Sequence, residues 1–224
     1  MKRCVINFAA GSWYPRGQKR LKESFLSKGY DGDFLLYDDE SKFGCPPHQE
    51  MPYAFKPYMF QKAIEMGYEQ IIWCDAAIFL ANDKSLGRIY RQIDKDGYML
   101  VLNGWNTGQW CSDAALPMLG ITREESFEIP HIMANSMAFD VRNERSREFL
   151  RQYYEHAKDG SFKGAWTNEK NQVSNDPRVM GHRHDQTAGS VIAWRLGMDN
   201  LLTNWTMYAP NTDNPNIILL THPA

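Results

Sequence analysis

The chain has 224 residues, 43% hydrophobic and 13% aromatic, with a formal net charge of −2 and a pI near 6.3. That length suits one domain with a full core, and the charge excludes the basic footprint of a duplex-binding protein, so no nucleic-acid partner is expected. A mean hydropathy of −0.55 and the absence of any run near the roughly 20 apolar residues of a span argue against a membrane protein.

The quickly polar start Met1–Phe8 does not read as a signal peptide, so a cytoplasmic location is expected. Cysteines 4, 45, 74 and 111 show no CxxC spacing. Cys4 and Cys74 fall inside apolar runs, where free thiols pack as small hydrophobes, and no disulfide framework is expected.

Residues 4–10 predict a first strand, followed by the loop Gly11-Ser12-Trp13-Tyr14-Pro15. Helical spacing runs over 16–28, with Leu21, Phe25 and Leu26 on one face. Residues 33–37 (DFLLY) predict a second strand closed by the acidic turn Asp38-Asp39-Glu40, and 41–52 read as loop. A helix is expected over 55–66, stopping at Gly67. The apolar run 70–74 halts at Asp75, and a short apolar strand follows at 78–80. A helix near 84–94 and a strand at 98–102 complete the first half, whose β–α alternation predicts a mostly parallel sheet with helices on both faces.

The second half is less regular. Residues 103–113 are polar and aromatic, 131–141 predict a strand, 143–158 a charged amphipathic helix, and 185–197 a helix. The hydrophilic stretch 159–183 is long for a compact domain, as binding loops and lids are. Nothing divides the chain, so residues 1–224 read as a single domain.

A buried strand that ends on a carboxylate delivers charge to the edge of an α/β sheet where ligands bind, and Asp75 is so placed. Its other reading is a plain turn residue. Ala10-Gly11-Ser12-Trp13 follows the first strand, where Gly permits close backbone approach, Ser can hydrogen-bond and Trp can stack on a base; an ordinary surface turn is the alternative. Lys56, near a helix start, suits a diphosphate contact, although most lysines are simply solvated. Asp185 opens a helix and reads equally as an N-cap. Trp105 and Trp110 interleave with amides, as sugar-binding surfaces do and as core indoles also do. His182, His184 and Asp185 lack the spacing of a hydrolytic zinc site, and Asn204-Trp205-Thr206 matches an N-glycosylation pattern that matters only in a secreted chain.

Four segments in order carry a family resemblance: Tyr53-Ala54-Phe55-Lys56-Pro57-Tyr58 with its helix to Gly67-Tyr68, then Ile71–Ala77, then Met133–Phe139, then His184-Asp185-Gln186. Over residues 4–200 this pattern resembles the GT-A glycosyltransferases, Rossmann-like nucleotide-diphospho-sugar transferases. The chain departs from them in having Asp75-Ala76-Ala77 where they carry Asp-x-Asp.

The resemblance implies a single-domain α/β GT-A fold and transfer of a sugar from a nucleotide-diphosphate donor to a glycan or other hydroxyl acceptor; Asp185 could serve a retaining or an inverting reaction, and retention is favoured. It implies that Ala10, Gly11, Ser12 and Trp13 face the nucleoside, Lys56 and Asp75 the diphosphate, and Asn135, Asp185 and Gln186 the sugar, the last two being the catalytic pair. A manganese or magnesium ion is the implied cofactor, with Asp75 and His222 as ligands and His182 or His184 as substitutes; Lys or Arg could also replace it. The competing readings are an inactive GT-A-like module that only binds a nucleotide sugar or a protein, and a nucleotidyltransferase, for which Gly11–Arg16 is a poor phosphate loop. A dinucleotide oxidoreductase lacks its GxGxxG.

Overall fold

In the computed structural model, residues 1–203 and 216–221 are described in full, together with the backbone of 207–208. A five-stranded mixed sheet of order β2-β1-β3-β6-β5 forms the centre, from β1 (Arg3–Phe8), β2 (Asp33–Tyr37), β3 (Gln70–Cys74), β5 (Tyr98–Asn106) and β6 (Pro130–Asp140). β1 pairs in parallel with β2 and β3, Cys4 opposite Asp33 and Ile71, while β6 runs antiparallel between β3 and β5. β3 is buried along its whole length, as an unbroken apolar run requires when helices cover both faces.

One face carries α1 (Tyr14–Ser27) and α3 (Ser85–Asp96), with Leu21, Phe25, Ile89 and Ile93 packed on Val5, Ile72 and Ala138. The other carries α2 (Phe55–Glu65), α6 (Glu144–Asp159) and α7 (His184–Arg195), where Phe60 meets Phe139 edge-on and Phe139 stacks on Phe149. α7 is buried on nearly every side, and its small residues allow this: a side chain at Gly189 would press on Ile132.

Several features depart from the sequence expectations. β5 continues through the polar residues Asn103–Asn106, and two short helices, α4 (Ala115–Leu119) and α5 (Arg123–Glu128), precede β6. α5 opens with a capping box in which Thr122 and Glu125 bond reciprocally. The predicted strand at 78–80 is present as β4 (Ile78–Leu80), but it belongs to a second sheet of order β4-β8-β7, with β7 at Met207–Tyr208 and β8 at Leu219–Thr221. Residues 159–183 form a pinned loop: the Asn168 amide donates to the carbonyls of Ser174 and Val179 and accepts from the N–H groups of Val173 and Ser174. Asn204, Trp205, Thr206 and His222 lie outside the described residues.

Candidate active site

The carboxyl ends of β1, β2 and β3 open onto a cleft of about 640 Å³, lined by Phe8 and Ala10 after β1, the acidic turn Asp38–Glu40 after β2, Trp73 and Asp75–Ala77 at the end of β3, and Tyr53 and Lys56 at the start of α2. A buried polar link holds these strand ends together: the Asn7 amide donates to the Cys74 carbonyl at 2.6 Å, and the Gln18 amide of α1 donates to Asn7 Oδ1 at 2.8 Å.

Lys56 is 3% exposed, and its three donors are all engaged. Nζ lies 2.9 Å from the Ala134 carbonyl of β6, 3.0 Å from Asp185 Oδ2 and 3.5 Å from Asp75 Oδ1. Burial works against its charge, yet Asp185 and Asp75 outweigh that and hold the ammonium above its ordinary range. The Tyr53 and Trp73 rings, 4.9 and 5.3 Å from Nζ, add cation–π contacts.

Asp185, 1% exposed in the first turn of α7, also accepts a hydrogen bond from the Tyr153 hydroxyl at 3.0 Å. Asp75 accepts from the Trp73 indole N–H at 2.9 Å and keeps 37% of its side chain exposed. Burial by the site walls is the main cause raising its carboxyl above the usual range, opposed by Lys56 and reinforced by Asp185. On both aspartates the bonds fall on a single oxygen, so among the described residues Asp75 Oδ2 and Asp185 Oδ1 are uncommitted.

Two non-glycine residues with positive φ flank this group, Tyr53 at 62° and His184 at 49°, and their rings sit 5.5 Å apart. Such strain persists where the surroundings over-determine it and clusters at functional sites. Tyr53 N–H donates to His48 Nδ1, and His184 Nδ1 pairs with the Phe162 carbonyl.

The structure brings Lys56, Asp75 and Asp185 into one contact group, from positions far apart in the chain. Asn135 lies beside them: its carbonyl accepts the Asp75 N–H at 2.7 Å, and its Oδ1 is buried with no partner among the described residues. Gln186 is half-buried one residue beyond Asp185. From the loop after β1, Ala10 and Tyr14 line the cleft, whereas Gly11, Ser12 and Trp13 lie outside its lining and Trp13 is 65% exposed. His182 and His184 are bonded to the carbonyls of Ser161 and Phe162.

Tyr53, Trp73 and Tyr153 were not singled out from the sequence. Tyr53 and Trp73 stand inside the quoted motifs without a role assigned to them there, but Tyr153 carries no local signal beyond its place on the apolar face of α6. No group of three His, Cys, Asp or Glu among the described residues is placed to hold a metal; of the two expected ligands, Asp75 stands in the cleft and His222 lies outside the described residues.

No family model matches the chain, and no curated protein matches it. Two solved structures resemble it in fold. One is a glycosyltransferase involved in glycosylation of the major capsid of PBCV-1, with a TM-score of 0.50, 12% identity, and coverage of 97% of this chain and 92% of that one. The other is the WbbM bifunctional glycosyltransferase, with a TM-score of 0.53 and 10% identity; the match covers all of this chain but only 46% of that one. The chain therefore has a glycosyltransferase fold.

Proposed function

We propose that the protein is a glycosyltransferase using a nucleotide-diphosphate sugar. The observation that carries this reading is the pair of carboxylates, Asp75 and Asp185, bridged by the buried Lys56 at the carboxyl ends of parallel strands on a glycosyltransferase fold.

In this reading the nucleoside lies along Ala10, Tyr14 and the Asp38–Glu40 turn, and the sugar lies over Asn135, Asp185 and Gln186. Asp185 Oδ1 and the orphaned Asn135 Oδ1 accept sugar hydroxyls, and so orient the anomeric carbon. Lys56 is a positioning residue, since its donors already hold both aspartates. With Asp185 buried and tied to Lys56 and Tyr153, transfer proceeds with retention: the bond from the anomeric carbon to the phosphate oxygen breaks, the acceptor oxygen bonds on the same face, and its proton passes to the departing phosphate. A divalent cation arriving with the nucleotide, manganese or magnesium, would be held by the Asp75 carboxylate and would supply neutralisation of the leaving group's charge. The acceptor is a glycan or another hydroxyl compound.

Isothermal titration with UDP, GDP, CDP and dTDP, each with manganese and with EDTA, tests the donor site. Tight binding of one nucleotide is expected, followed by slow hydrolysis of the matching sugar nucleotide. Binding without any turnover would favour a module that only binds; no binding by the folded protein would remove the donor site altogether.

A further inference from the structure

Arg183 stands immediately before the catalytic segment of α7, and its guanidinium is clamped between two indoles, 3.7 Å from the Trp166 ring and 3.9 Å from the Trp110 ring. Its side chain makes no hydrogen bond or ion pair among the described residues. Asp185, two residues along, directs its bonded oxygen to Lys56 and Tyr153 instead. Trp110 Nε1 is a buried donor without an acceptor among the described residues.

Stacking occupies the two faces of a guanidinium and leaves its in-plane N–H groups in the fork that matches a phosphate or carboxylate. The clamp also removes the side-chain freedom that binding would otherwise cost. It adjoins the cleft, because Trp166 lies 6.4 Å from the Tyr53 ring of the cleft wall. The cleft itself is lined by four acids, Asp38, Asp39, Glu40 and Asp75, against one lysine whose donors are taken. An anionic substrate therefore needs a cation from outside that lining.

We propose that Arg183 is an oxyanion-binding residue of this site, gripping a phosphate or carboxylate by the free edge of its guanidinium. The inference rests on the donor reading above in taking the diphosphate as the favoured source; an acidic sugar of the acceptor has the same chemistry.

The test compares wild type with Arg183→Met and Arg183→Lys, titrated with inorganic pyrophosphate, with the four nucleoside diphosphates and with glucuronate. Near-UV circular dichroism and the melting temperature establish that the variants fold. Arg183→Met is expected to weaken pyrophosphate and nucleotide binding about 10- to 100-fold, and Arg183→Lys to recover only part, since lysine keeps the charge but not the fork. Loss of glucuronate binding alone would assign the anion to the acceptor. Unchanged binding of every anion in folded Arg183→Met, or no anion binding to wild type, would overturn the proposal. Pyrophosphate held through Arg183 without any nucleoside diphosphate binding would sink the donor reading and leave this site standing. Nucleotide binding indifferent to Arg183, with pyrophosphate and glucuronate binding also unchanged, would do the reverse.

Discussion

Lys56 joins four elements through one atom: α2 supplies it, β6 accepts one of its bonds, and the aspartates of the β3 end and of α7 take the others. Removing a buried partner leaves uncompensated charge, at about 3–5 kcal/mol. Lys56→Met is therefore expected to lower the melting temperature by roughly 6–20 °C and to abolish transfer; a melt within 2 °C of wild type would contradict the bridge. Asp185→Asn keeps the shape of the site but replaces an oxygen that accepts from Lys56 or the substrate. It should lower kcat by about 10²–10³, with nucleotide affinity by titration staying within a few fold. His131 and His182 are buried as neutral rings, each pushed down to about 3, chiefly by burial, with Arg183 and His182 adding to the effect on His131 and His184 on His182. Their unfolded value is near 6.5, so the unfolded chain binds more protons between about 6.5 and 3. Stability is then intact above that window and falls by about 1.4 kcal/mol per pH unit per histidine within it. Urea midpoints that stay level from pH 7 to pH 5 would contradict this.

Among the elements, the loop 159–183 meets the cleft wall through Trp166, whose ring lies 6.4 Å from that of Tyr53. Gly181 permits a backbone approach that a side chain would block, since its Cβ would collide with the Trp166 carbonyl. Gly181→Ala should therefore displace Trp166 from Arg183, cost about 1–3 kcal/mol of stability, and raise KM before it affects kcat; unchanged KM and stability would show that the approach is tolerant. The elements legible in the sequence were those with continuous apolar runs or clean helical spacing, such as β1, β3 and α6. β5 ran past its expected end because Asn103–Asn106 look like loop, yet they continue the strand through an irregular register with β6. β7 and β8 were missed because β4 finds its partner almost at the other end of the described chain. Asp75, Lys56 and Asp185 were legible as residues, but their convergence on one ammonium is tertiary. Arg183 gave no signal because its partners are indoles at 110 and 166 rather than an acid nearby.

For the whole molecule, ligand binding and folding are linked, because the cleft floor is made of strand ends that also carry the core. A nucleotide at 100 times its Kd adds about 2.7 kcal/mol, which for this size shifts the melting temperature by roughly 5–10 °C. Asp185→Asn should show nearly the same shift while being inactive, and a shift lost together with activity would place nucleotide contacts on Asp185 itself. The Asp75 turn lies between β3 and β4, and β4 takes its sheet partner from β8, whose Leu219 and Leu220 pair with Leu80 and Phe79. During synthesis the Asp75 turn thus emerges long before the strand that braces β4. A ribosome-bound chain halted before residue 219 is expected to bind no nucleotide sugar, because β4, which follows the Asp75 turn, would lack its pairing strand.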